Sequence, residues 1–138
     1  MDHSFSVTAD PARDLLHIRL SGFLTPEAMA AFFAARNAAL KQLRCGPNQH
    51  VAVADVRDMA IQGRESVDRF QKLLAESPSP ARRLAVLATS TLARMQVNRA
   101  VGHDRIRFFT DPTEAETWAR GREEAAGATP LIGPPALR

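Results

Sequence analysis

Short alternating segments and longer apolar runs divide the chain into predicted strands. Residues 4–8 and 15–20 alternate between apolar and polar side chains, which predicts two short strands joined by a hairpin loop. The runs at 50–56 and 83–89 are almost continuously apolar, as is typical of strands that are buried on both faces of a parallel sheet. A shorter strand is predicted at 106–110.

Four further segments carry the signals of helices. Thr25 precedes a proline and an alanine-rich stretch, so a helix is predicted within 25–43 with this threonine as its N-cap. Segments 65–76 and 91–102 place apolar residues at helical spacing, and an Asp-Pro pair begins a final helix at 111–119. The predicted order is therefore β-β-α-β-α-β-α-β-α.

This order predicts an α/β fold with a mostly parallel five-stranded sheet, an N-terminal antiparallel hairpin and about four covering helices. With 138 residues the chain has the size of one domain, which we place at 1–122. Residues 123–138 are rich in alanine, glycine and proline, so a flexible tail is expected there.

Two helices have faces that can be assigned from spacing. In the first, apolar residues point to the sheet and three basic residues are expected to be solvated: Met29, Phe32, Phe33 and Leu40 form the first set, and Arg36, Lys41 and Arg44 the second. In the third helix Leu92, Met95 and Val101 can share one face.

Charge and cysteine content restrict the class of protein. The net charge is +3, and six arginines between 82 and 107 either form an electropositive face or point in several directions: Arg82, Arg83, Arg94, Arg99, Arg105 and Arg107. A single cysteine makes no internal disulfide. No segment has the about 18 apolar residues of a membrane span, and the first residues lack signal-peptide order, so a cytoplasmic location is expected.

Residues with catalytic chemistry do not converge in the sequence. His3, His17, His50 and His103 fall on different elements, and none is paired at helical spacing for a metal. Cys45 follows a helix, where the helix dipole disfavours a thiolate. Nucleophile-elbow, dinucleotide and nucleotide-phosphate motifs are absent from the sequence, so we expect no catalytic residue, no cofactor and no metal.

Charged residues gather after the first long apolar run. Asp55 and Asp58 belong at the carboxyl end of a parallel strand, where ligands of open α/β sheets collect. Arg57 and Arg64 lie nearby. The cluster is either an ion-paired loop that orders the start of the next helix or a polar recognition surface.

Two segments resemble a known family. The strand HVAVADV (50–56) with its following loop and helix, and the ending RIRFFTDPTEAETWA (105–119), are similar to the STAS-like superfamily, particularly its small stand-alone SpoIIAA-like proteins. The resemblance covers about residues 4–120. It implies a bacterial, non-catalytic binding module, since such domains include anti-sigma-factor antagonists and domains fused to anion transporters; a related fold carries lipids.

The chain departs from the antagonist branch at its phosphorylation motif. That branch carries a phosphorylatable serine or threonine in an Asp-Ser-Ser-Gly-like sequence at the helix start, where this chain has Gln62, Gly63 and Arg64. Ser66 lies slightly later, in surroundings that do not reproduce the motif. Capping of the helix start or plain exposure is expected for this hydroxyl rather than a phospho-switch.

Noncovalent recognition of a protein partner is the first function that we predict. The candidate surface consists of Asp55, Arg57, Asp58, Gln62, Arg64 and Ser66. The alternative is a small apolar or lipid-like ligand between sheet and helices, which predicts an enclosed pocket of roughly several hundred Å³ lined by Met and Phe. The sequence is also compatible with a homodimer formed through either the exposed hairpin edge or the apolar tail. Nucleic acid is not expected, because no recognition motif or tyrosine is present.

Overall fold

The computed structural model of the chain describes residues 3–46, 49–76, 80–102 and 106–121. The predicted tail at 123–138, His103 and Arg105 lie outside the described residues. Within them the nine predicted elements occur in the predicted order: β1 (His3–Asp10), β2 (Leu15–Gly22), α1 (Pro26–Leu40), β3 (Val51–Met59), α2 (Arg64–Glu76), β4 (Arg83–Leu87), α3 (Thr91–Val101), β5 (Ile106–Phe109) and α4 (Pro112–Ala119).

The strands form one sheet in sequence order, β1-β2-β3-β4-β5. β1 is antiparallel to β2, with Phe5 opposite Leu20, and the remaining neighbours are parallel. Asp14, at a φ of 51°, closes the β1–β2 turn. The predicted α/β class and the mixed sheet with its N-terminal hairpin are confirmed.

Strand order also decides which helices share a face. Each parallel crossover moves to the next strand in the same direction, so right-handed crossovers place α1, α2 and α3 on one side of the sheet. α4 follows the last strand and packs on the opposite side, against β3, β4 and β5. We call these two sides the three-helix face and the α4 face.

The alternation of β2 divides its residues between the two faces. Leu16, Ile18 and Leu20 belong to the clusters under the three helices, whereas Leu15 packs with the α4 cluster. His17 points the same way as Leu15, since its Nε2 lies 3.9 Å from a carboxylate oxygen of Glu116 in α4. The period-2 pattern that predicts the strand therefore also assigns its faces.

Three helices begin at side-chain caps. The side-chain oxygens of Thr25, Ser90 and Asp111 each accept a hydrogen bond from the backbone N–H three residues later, at 3.0, 3.0 and 2.9 Å. Such a cap satisfies one of the unpaired donors of a first helical turn and contributes about 1 kcal/mol. The N-cap role predicted for Thr25 is confirmed.

One expectation about a helix face is wrong, and the face of α3 that carries Leu92 and Met95 is exposed. Arg36 is only 6% exposed rather than solvated, because it follows Phe32 and Phe33 on the buried face of α1. Leu92 and Met95 are 58% and 59% exposed, because the buried residue of the first turn of α3 is Ala93.

The described arginines between 82 and 107 do not form one positive face. Arg83 and Arg107 lie beside the Trp118 ring on the α4 face, at 5.0 and 5.9 Å. Arg94 lies over Phe108, and Arg99 pairs with an aspartate of α2. Of the two predictions for these arginines, the one in which they point in several directions is correct for the described residues.

None of the helices within the described ranges is long and apolar enough to pass through a bilayer; α1, at 15 residues, is the longest.

Candidate functional site: a chamber between the sheet and three helices

A cavity of about 620 Å³ lies between the three-helix face of the sheet and the helices above it. Pockets for small molecules occupy about 300–1,000 Å³, so this chamber has the size of a ligand site. Its floor is formed by strands and its roof by helices. Apolar side chains in its wall include Leu16, Ile18, Leu20, Leu24, Met29, Phe32, Phe33, Ala52, Ala54, Val56, Met59, Val67, Phe70, Leu74, Leu84, Val86, Val97 and Ile106.

Small residues on the central strand create the space. β3 presents Ala52 and Ala54 to the chamber, where the neighbouring β2 presents Leu16 and Ile18. Ala54 is only partly buried although it lies in the middle of the sheet, because the chamber stands above it. Protein interiors are normally close-packed, so a void of this size is an unusual feature of the fold.

The helices form the roof by packing on one another. α2 contacts α3 and, less extensively, α1. Phe70 of α2 joins the α1 aromatic rings, with ring centres 5.0 Å from Phe33 and 6.0 Å from Phe32. This aromatic cluster holds α2 beside α1 while leaving the chamber open beneath it.

Gln62 closes the chamber at the carboxyl end of the strands. Its Oε1 accepts from the Leu24 N–H at 3.0 Å, and its Nε2 donates to the carbonyls of Gly22 and Ala60 at 3.0 and 2.6 Å. Its backbone exchanges two hydrogen bonds with the Gln96 side chain, at 2.9 and 2.6 Å. Because the side chain and the backbone of Gln62 are both hydrogen-bonded, this residue holds the β3–α2 loop against α3 and the end of β2.

Two buried polar residues lie at the opposite, amino end. Arg36 and His50 line the chamber and are 6% and 2% exposed. Burial lowers the pKa of His50 to about 4, the Arg36 charge acts in the same direction, and Asp14 opposes them. Burial also lowers the pKa of Arg36, but a guanidinium stays protonated in proteins. At neutral pH Arg36 is therefore charged and the imidazole of His50 is neutral.

The chamber meets solvent near this same amino end. Among its described lining residues, Gln71, Ala75, Pro80 and Arg99 are exposed. They lie on the last turns of α2 and α3 and just before β4.

The six residues of the predicted recognition surface lie in two groups. The Asp55 carboxylate accepts from the Arg57 backbone and guanidinium at 2.8–3.1 Å, and Asp58 pairs with Arg19. These hydrogen bonds from Arg57 hold the pKa of Asp55 below its usual value, against the effect of burial. Asp55 alternates with the chamber-lining residues of β3, so this ion-paired group lies toward the α4 face.

The other three predicted residues belong to the three-helix side. Gln62 and Ser66 line the chamber. Arg64, whose side chain is 81% exposed, lies 4.0 Å from the Asp68 carboxylate one turn later in α2. The structure thus separates the charged part of the predicted site from the part that touches the chamber.

Sequence reasoning missed the amino-end pair. Arg36 falls at helical spacing from Met29, Phe32 and Phe33, and a cation on an apolar helix stripe is a signal that could have been read. His50 opens an apolar run directly before the strand with the small alanines. Neither signal reveals that the two side chains border the same cavity.

Metal-binding side chains do not cluster in the described ranges: no group of three His, Cys, Asp or Glu there could hold an ion. Burial, followed by the nearby Asp14 charge, raises the pKa of the Cys45 thiol. A raised pKa makes the thiolate scarce at neutral pH.

The architecture is similar to that of a solved structure. An uncharacterised protein of the DUF3478 family with a SpoIIAA-like fold, from Shewanella loihica PV-4, superposes with a TM-score of 0.67 at 19% sequence identity, over 85% of this chain and 94% of that one. The sequence matches no protein-family model and no curated protein. The chain has a SpoIIAA-like fold, which confirms the fold that the resemblance implied.

Proposed function

We propose that this chain is a non-catalytic binding module that holds a small apolar molecule in the chamber between its sheet and its three helices. The observation that carries this proposal is the cavity of about 620 Å³ with Met and Phe side chains in its wall. Its size and its Met and Phe lining agree with the pocket expected for the ligand-carrying alternative, although that pocket was expected to be enclosed and this one opens to solvent. Carriage or sensing of such a molecule therefore ranks above recognition of a protein partner.

The energetics favour an apolar occupant. Side chains that border a void lose dispersion contacts on that side, and an apolar ligand restores them. Each methylene moved from water into such a site contributes about 0.8 kcal/mol, or roughly fourfold in affinity. Affinity is expected to rise with ligand length until the chamber is full.

A protein-recognition surface is the second candidate, and a specific feature favours it. Phe23, Ile61, Leu92 and Met95 are 43–60% exposed, and all lie near the carboxyl ends of the parallel strands. Exposed apolar groups of this kind often mark interaction sites. The surface ranks second because the nearby Asp55 and Asp58 are already paired within the chain.

Filling the chamber tests the first proposal. Ala54→Leu adds three carbons at the chamber floor, and Ala31→Leu makes the same change on an exposed position of α1. Fluorescence titration with N-phenyl-1-naphthylamine, an uncharged apolar probe, should show binding to the wild type and to Ala31→Leu. Binding to Ala54→Leu should be at least about tenfold weaker.

Two results would contradict the chamber as the site. One is no saturable probe binding to the folded wild type, and the other is equal binding to all three proteins. Circular dichroism of each variant separates loss of the site from loss of the fold.

A further inference from the structure

We propose that β1 pairs with β1 of a second copy of this chain, antiparallel about a two-fold axis near Ser6, so that the two sheets join into one continuous sheet. The open outer edge of β1 carries this inference. The edge lies outside the chamber, so the inference does not depend on the proposed function. It is supported by the composition of the edge, the symmetry of its sequence, and the outer face and terminal charges of α1.

β1 is an edge strand that lacks the features by which edges are usually protected. It has eight residues and pairs with β2 in continuous register, without a bulge. Residues 4–9 contain no proline and no charged residue. Exposed edges are normally short or carry charges, prolines or bulges, because their free N–H and C=O groups can pair with another chain. The strand at the other edge, β5, has only four residues and includes Arg107, so β1 is the edge that is open to pairing.

The sequence of β1 suits pairing with itself. Residues 4–8 read Ser-Phe-Ser-Val-Thr, which alternates between polar and apolar residues in either direction. When Ser6 lies opposite Ser6 of the second copy, Phe5 lies opposite Val7 of that copy. Phe5 and Val7 pack against the core under the three helices, and a two-fold axis perpendicular to the sheet keeps them on the same face in both copies. The same edge therefore serves both partners, as a two-fold dimer requires.

The outer face of α1, the helix that packs on β1, consists of small side chains. Between Glu27 and Lys41 its exposed residues are all alanines: Ala30, Ala31, Ala34 and Ala38. A helix face in solvent is usually polar, and the exposed residues of α2 are mostly charged: Arg64, Glu65, Asp68, Arg69, Lys72 and Glu76. Paired strands lie about 4.8 Å apart, so pairing of β1 brings the two α1 helices within about 10 Å, the distance of helices in direct contact. Alanine side chains permit this approach.

The strand and the helix place the two-fold axis at the same point. α1 runs in the same direction as β1, because both are antiparallel to β2. The Phe5 ring lies 5.9 Å from the Phe32 ring, centre to centre, which aligns the two elements. One strand residue advances about 3.3 Å, or about two residues of a helix, so Ser6 lies below the turn that contains Ala34.

The exposed charges at the ends of α1 are complementary about this axis. Ala34 is midway between Glu27 and Lys41 in the sequence. Two antiparallel α1 helices centred on Ala34 therefore bring Glu27 of each copy next to Lys41 of the other. Complementary charges of this kind fix the register of an interface, and here they favour a second copy of this chain over an unrelated strand.

Analytical ultracentrifugation of the full chain tests the dimer. A strand edge with one helix face is a small interface, so we expect a Kd of about 1–10 μM. Ala34→Glu places two carboxylates against each other at the axis and should weaken association at least about tenfold. Thr113→Glu adds the same group to α4, on the other side of the sheet, and should leave association unchanged. Glu27→Lys should weaken the dimer, and adding Lys41→Glu to it should restore association.

Crosslinking tests the position of the strand. In a Cys45→Ser background, Ser6→Cys places two thiols opposite each other at the axis, with Cβ atoms about 5 Å apart. Oxidised glutathione should convert this variant into a disulfide-linked dimer. Thr113→Cys in the same background, with its thiol on α4, should remain a monomer under these conditions.

Three results would overturn the proposal. They are a monomeric wild type at about 100 μM, well above the expected Kd, a dimer that Ala34→Glu leaves intact, and equal crosslinking of the two cysteine variants. Circular dichroism of each variant shows whether it is folded. Should Ala34→Glu not fold, the exchange of Glu27 and Lys41 and the crosslinking of Ser6→Cys still decide the question.

Discussion

The two faces of the sheet differ in how closely their side chains are packed. On the α4 face Leu15, Ala85, Ala115 and Ala119 are completely buried, and Trp118 packs against their cluster. On the three-helix face Leu16, Met29 and Val86 are as well buried, but Ile18, Ala54, Leu84 and Phe70 beside the cavity remain partly accessible. The same strands contribute to both faces, so the difference comes from the helices and from side-chain size.

The α4 face shows what close packing achieves. α4 has only eight residues, yet its alanines allow it to lie directly on β3, β4 and β5. The three-helix face has far more helix but keeps a cavity, because its helices support one another across small residues of β3. We infer that the α4 face mainly stabilises the domain, whereas the three-helix face is less closely packed and leaves space for the proposed ligand site.

The largest expected effect comes from truncating one residue on each face. Leu15→Ala removes a completely buried side chain from the α4 face and should lower the free energy of unfolding by about 4 kcal/mol. Ile18→Ala, on the chamber side of the same strand, should cost about half as much, because its side chain already borders a void. Urea unfolding of the ligand-free proteins measures both values. Equal losses in the free energy of unfolding for the two variants would contradict the difference in packing between the faces.

Lowering the pH should reduce the free energy of unfolding, because the buried His50 at the amino end of the chamber resists protonation. His50 has a pKa of about 4 in the folded chain and 6.5 as a model value, so the unfolded chain binds the proton first. Its contribution is complete above pH 6.5 and is lost as the pH falls to about 4, by about 3 kcal/mol in total. Urea unfolding across this range should show the loss in wild type.

A variant isolates this histidine from other acid effects. The pKa values of Asp14 and Asp55 are also lowered, so their contributions are lost at still lower pH in any variant. His50→Gln should flatten the stability profile between pH 6.5 and 4 relative to wild type. Parallel profiles for the two proteins would show that His50 is not held neutral in the folded state.

The smallest effect is expected from the exposed ion pair of the predicted recognition surface. Arg19 and Asp58 pair at the surface with side chains 56% and 62% exposed, and such pairs contribute about 0–1 kcal/mol. Asp58→Asn should therefore change the free energy of unfolding by less than about 1 kcal/mol and leave binding of the apolar probe unchanged. A loss of several kcal/mol in the free energy of unfolding would show that this exposed pair stabilises the fold as strongly as a buried contact does.

The fold could be predicted from local pattern, whereas the chamber could not. Alternation in β2 and the apolar run of β3 depend on neighbouring residues, and so do the caps at Thr25 and Asp111. The void depends on how far α2 lies from Ala54, which is set by contacts between helices that are distant in sequence.

The positions of the predicted site residues also depend on contacts between distant parts of the chain. Asp55, Asp58 and Arg57 are visible in the sequence as a charged group, but only the folded geometry shows that Asp55 pairs with Arg57 and that Asp58 pairs with Arg19 of another strand. Arg36 was expected in solvent because basic side chains usually are. Its burial follows from the direction of the α1 apolar face, which holds the arginine between sheet and helices.

The most direct test of the difference between the faces is a ligand titration followed by NMR of ¹³C-methyl-labelled alanines. Ala52 and Ala54 report on the chamber floor, and Ala85, Ala115 and Ala119 report on the α4 face of the same domain. With N-phenyl-1-naphthylamine we predict saturable shifts of the Ala52 and Ala54 methyl signals and little change at the three α4-face methyls. Saturation that shifts the α4-face methyls, or leaves Ala52 and Ala54 unmoved, would contradict the chamber as the binding site.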